Sequence, residues 1–87
     1  MADSKLKQKV RATLKKALFH DPTDRITVSD GVNGNIHVRI VSHKFDGLGL
    51  KEENDLIWNV LMENLKPKEW GMVSLTIGAS PEEIKAI

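Results

Sequence analysis

Apolar and polar residues alternate along this chain with two different periods, and the switches between them mark out six elements. Leu6, Val10, Leu14, Ala17 and Leu18 recur at steps of four, four, three and one, which is the stripe of an amphipathic helix. Ser4 can cap it, so a helix is predicted over residues 4 to about 18. His20-Asp21-Pro22-Thr23-Asp24 stops it, because proline lacks an amide hydrogen and disfavours helical backbone in the residue before it. The period then falls to two. Residues 25–29 alternate polar with apolar and predict a half-buried strand. Asp30-Gly31-Val32-Asn33-Gly34-Asn35 carries an Asp-Gly and an Asn-Gly pair and reads as a hairpin loop. Residues 36–41 form the return strand, with Ile36, Val38 and Ile40 on one face and His37, Arg39 and Val41 on the other.

Residues 42–49, Ser-His-Lys-Phe-Asp-Gly-Leu-Gly, make a tight corner, where glycine can take positive φ without steric cost. Beyond it the helical period returns. Leu56, Ile57, Val60, Leu61, Asn64 and Leu65 share one stripe, widened by Trp58 and Met62, and Glu52, Glu53 and Asp55 enrich the first turn. Residues 67–70 are a break or a final turn. Residues 72–77 alternate again, which predicts Val73, Leu75 and Ile77 inward and Met72, Ser74 and Thr76 outward. Ser80-Pro81-Glu82-Glu83 is a capping box that opens a short last helix, expected to reach Ala86. The order is αββαβα. A helical crossover between the second and third strands makes them parallel if adjacent. The predicted fold is α+β: a three-stranded mixed sheet with two long helices packed on one face. The other face is expected to be polar, presenting Thr27, His37, Arg39, Ser74 and Thr76 to water.

Eighty-seven residues make a single domain with a modest core, assigned to residues 1–87. The 40% hydrophobic and 29% charged fractions are those of a globular chain. With no cysteine, there is no disulfide, thiolate nucleophile or cysteine metal site. No apolar run approaches a membrane span, and the charged start does not read as a secretory signal, so a cytoplasmic chain without membrane contact is expected. The net charge of +1 conceals an asymmetry. Residues 1–20 hold six lysines and arginines against one aspartate, and residues 21–87 hold seven against eleven acids. Such a basic helix can steer an anionic partner or can be a solvated face.

The middle of the chain resembles the BolA-like family. The resemblance rests on Val38-Arg39-Ile40-Val41-Ser42, then His43-Lys44-Phe45-Asp46-Gly47, then Leu56-Ile57-Trp58-Asn59-Val60-Leu61 and Glu63-Asn64-Leu65. Ser80-Pro81 also stands where that family has Thr-Pro after its last strand. The resemblance implies a class II KH-like fold and a non-enzymatic adaptor or regulatory role. It implies a monothiol glutaredoxin as partner, sometimes through a shared [2Fe-2S] cluster, in iron homeostasis, stress response or transcription regulation. The partner surface it implies comprises His43, Lys44, Phe45, Gly47 and Met72. Three positions depart from the family pattern. Met72 stands where the family has a cluster-ligand histidine. Glu53-Asn54-Asp55 replaces Arg-His-Arg, and the hairpin loop offers Asn33 and Asn35 where relatives carry a second ligand. A neutral thioether is a weak substitute for imidazole, so the expectation is no cofactor held by this chain alone.

The three histidines lie far apart in sequence and have no metal-ligand spacing. His20 at a helix end and His37 on a strand read as structural; His43, bordering the glycine corner, is the one candidate ligand. No nucleophile, base and acid are linked by a motif, and adjacent Glu52 and Glu53 point in different directions. No enzyme is expected. Gly47-Leu48-Gly49 is not the Gly-x-x-Gly clamp of KH domains. The second function class is nonetheless a KH-like nucleic-acid binder using Lys5, Lys9, Lys16, Arg39 and Lys44.

Overall fold

The computed structural model describes residues 3–85. The first helix, α1 (Ser4–Ala17), begins one residue earlier than expected: Asp3, not Ser4, is the N-cap, and its carboxylate accepts from the Lys5 and Leu6 amides. A carboxylate here also meets the positive end of the helix dipole. Strand β1 (Arg25–Asp30) runs through a short 3-10 turn (Val32–Gly34) into β2 (Ile36–Val41). A second 3-10 turn (His43–Phe45) leads to α2 (Leu50–Asn64), and a one-turn helix α3 (Pro67–Trp70) fills the predicted break. The chain then enters β3 (Val73–Ala79) and α4 (Pro81–Lys85). Ser80 and Glu83 exchange the two bonds of the capping box. The expected end of α4 at Ala86 lies outside the described residues.

The sheet order is β1-β2-β3, with β1 and β2 antiparallel and β2 and β3 parallel, as the crossover requires. Val10 and Leu14 of α1, Ile57, Val60 and Leu61 of α2, and Ile36, Val38 and Ile40 of β2 form one core, joined by Phe19 and Phe45. Ala17 is exposed and leaves the expected stripe. No helix among the described residues is long and apolar enough to cross a membrane.

The facing of β3 departs from the expected alternation. Ile36 pairs with Val73 but His37 pairs with Leu75, so Ser74 has no partner on β2. This one-residue bulge turns the rest of the strand over. Val73 stays buried, yet Thr76 and Gly78 then point inward, while Leu75 and Ile77 are 40% and 41% exposed. Inward Thr76 is satisfied by α2, its hydroxyl bonding Asn54 Oδ1 at 3.0 Å. The face away from the helices is therefore mixed rather than polar. Leu75 and Ile77 stand beside His37 and Arg39, while Thr27 and Arg25 lie one strand further over.

Candidate functional site

The corner after β2 is fixed from below. The Ser42 amide donates to Ala79 O at 3.0 Å, and the Ser42 hydroxyl accepts from the Lys44 amide. Gly47 takes φ 75°, with open space where a side chain would be, so the turn needs glycine for its backbone alone. Phe45 is fully buried; its ring meets Phe19 at 5.5 Å between centroids and lies against Gly78. Phe45 therefore anchors the corner and offers no surface, which corrects its place among the partner-binding residues. His43, Lys44 and Gly47 are exposed. His43 Nδ1 lies 3.0 Å from Asp46 Oδ2, an ion pair when the imidazole is protonated. Across from them, the Asp21 carboxyl is held below the usual carboxylate range by Thr23, whose amide and hydroxyl both donate to it, with His43 and Lys44 adding to the effect.

Met72 does not join this corner. The Ile36 amide, at the opposite end of β2, donates to Met72 O at 2.8 Å. Six residues of strand separate the two ends, about 20 Å at strand rise. Met72 instead stands by the hairpin loop, half-buried against the core. In that loop Asn33 takes φ 57°, and the Asn35 carbonyl accepts from the Gly31 amide. The His37 imidazole packs on Gly31. His37 is thus the imidazole at the hairpin end, which strand alternation hid because it placed the ring only on a face. The candidate donors that this end of the chain carries are the Met72 thioether, the Asn33 and Asn35 side-chain amides and the His37 imidazole. Iron–sulfur clusters are held by thiolates, in some cases with imidazoles. The set does not fit a [2Fe-2S] cluster, and among the described residues no three His, Cys, Asp or Glu side chains converge.

The five cations of the nucleic-acid reading form no single surface: Lys5 and Lys9 share one groove and the other three lie elsewhere. Lys9 is tied to Glu69 of α3 at 2.6 Å, with Lys5 lining the same groove. Lys16 lies by Asn64 at the end of α2. Arg39 is on the sheet face away from α1, and Lys44 is in the corner.

Sequence reasoning missed Glu53 as an unusual group. The helical stripe did not include it, yet it is 1% exposed, and among the described residues no amide, hydroxyl or cationic group donates to either carboxyl oxygen. Burial pushes its pKa up to about 7; the Glu83 carboxyl, which can share a proton with it, and the charge of Glu52 add to the shift.

No protein-family model and no curated protein matches this chain. Solved structures do. BolA1 from Arabidopsis thaliana superposes with a TM-score of 0.67 at 24% identity, covering 90% of this chain and 94% of that one. The BolA domain of SufE1 from Arabidopsis thaliana gives 0.68 at 27% identity, covering 95% of this chain and 99% of that one. The αββαβα order, the parallel β2–β3 pair and near-complete coverage of both neighbours agree, and the chain has the fold of these BolA domains.

Proposed function

We propose that this chain is a non-enzymatic adaptor that docks a monothiol glutaredoxin through the corner at His43, Lys44 and Gly47, and that it supplies no ligand to a shared [2Fe-2S] cluster. The reading is supported by the likeness to the BolA domain of SufE1 over 95% of the chain, since a BolA unit there is one domain within another protein. The family resemblance then points to a glutaredoxin as partner, and to iron homeostasis or stress-responsive regulation as the setting. The thioether at Met72 argues for docking without cluster transfer. The dispersal of Lys5, Lys9, Lys16, Arg39 and Lys44 leaves the nucleic-acid reading without one continuous surface.

Mixing the protein with a cluster-loaded monothiol glutaredoxin tests the proposal. The expected result is a complex on gel filtration with the cluster absorption spectrum unchanged. Lys44→Glu should weaken the complex and Met72→Ala should not. Absence of a complex rejects docking, and an altered cluster spectrum rejects the exclusion of Met72 and its neighbours from ligation.

A further inference from the structure

Among the described residues β1 pairs in the sheet with β2 alone, so along residues 26–28 its other edge turns backbone amides and carbonyls away from the ladder. A groove follows that edge. Ile26 and Val28, on the helix side of the strand, and Thr27, on the opposite side, all line it; only a strand's edge exposes both faces to one space. The far wall is α1. Lys7, Arg11 and Lys15 recur at steps of four, hence on one helix face, and all three border the groove. It consists of two hollows of about 500 and 290 Å3 that share Arg11 and Ile26.

The charges along it are uneven. Lys7 is bonded to Asp30 at 2.8 Å, which balances one end. Asp21 and Asp24 border the other end, beside His20. Between them Arg11 and Lys15 are exposed, and neither forms an ion pair among the described residues. Residues 25–30 contain no proline, so no amide of the edge is missing.

We propose that this groove takes an extended acidic peptide segment as a fourth strand on β1, with its backbone on the strand edge and its carboxylates on Arg11 and Lys15. A strand edge offers amide donors and carbonyl acceptors in alternation, and a peptide backbone answers both. A nucleic-acid backbone supplies phosphate acceptors and would leave the carbonyls without donors, so the edge favours peptide. The site uses none of the exposed corner residues and makes no demand on the glutaredoxin reading.

The probe is a short fluorescent peptide alternating glutamate with valine. Two controls accompany it: the same pattern with lysine for glutamate, and an acidic peptide of equal charge interrupted by prolines. Fluorescence anisotropy gives affinity, and amide chemical shifts give location. The expected result is saturable binding of the alternating acidic peptide that weakens with salt, with shifts concentrated in residues 25–30. The double variant R11Q/K15Q should weaken it about tenfold, two exposed ion pairs' worth, while Lys5→Gln leaves it unchanged. Absence of binding would overturn the proposal. So would equal binding of the proline peptide, shifts centred on β3, or tighter binding of a single-stranded oligonucleotide at the same amides.

Discussion

The ring of Phe45 occupies the space in which a side chain on Gly78 would have to stand: a Cβ built there would lie 2.9 Å from Cζ. The corner and the third strand therefore close on each other through a missing methyl group. Gly78→Ala forces the ring or the strand to move and should cost about 1–3 kcal/mol, the usual range for overpacking. Phe45→Ala should cost about 3–5 kcal/mol through the cavity it leaves. Urea unfolding of both variants checks this, and a neutral Gly78→Ala would show that the contact is loose.

The bulge at Ser74 predicts a contrast between residues that alternation treats alike. Leu75, on the open face, should tolerate lysine with a change within about 0.5 kcal/mol, as exposed positions do. Ile40, buried on the core face of β2, should lose about 2–5 kcal/mol on truncation to alanine. Thermal denaturation of Leu75→Lys beside Ile40→Ala tests it. Collapse of the lysine variant would place Leu75 in the core.

Glu53 makes stability depend on pH. Its carboxyl titrates at about 7 in the fold against an ordinary 4.5. Between these values the unfolded chain gives up the proton while the folded chain keeps it. The contribution of the protonated group is thus complete below pH 4.5 and lost as pH rises through about 7. Glu53→Gln, which cannot ionise, should flatten the urea midpoint over that interval. It should also be more stable than the parent at pH 8. A parent whose midpoint does not fall over that interval would contradict the shifted acid.

At the start of α1, Asp3→Ala removes the acceptor for two amides. A loss of about 1 kcal/mol is expected, with Ser4→Ala close to neutral, because the neighbouring serine is already inside the helix. Circular dichroism melts of the pair distinguish the two caps.

Much of the fold was legible in residue order. The stripe of α1, the alternation of β2 and the capping box at Ser80 each specify an element locally. What was hidden depends on slack or on neighbours distant in sequence. Leu75 was expected inward because alternation assumes an unbroken ladder; nothing in Val-Ser-Leu-Thr announces that Ser74 will be skipped. The architecture survives because the slip is confined to one edge strand and Val73 keeps its burial. Glu53 stands in sequence among the acids that enrich the first turn of α2, and the burial that sets it apart from Glu52 comes only with the packed fold. Phe45 and Met72 were grouped with the exposed corner by family pattern. Only the folded chain separates a ring that anchors from a thioether at the sheet's other extremity.

That separation has a mechanical corollary. The imidazole of His43 and the sulfur of Met72 cap opposite poles of the same central ribbon, so a small partner gripping one pole leaves the other uncovered. Lesions at the two poles should then behave as independent defects, each rescued by a compensating change in a different partner residue.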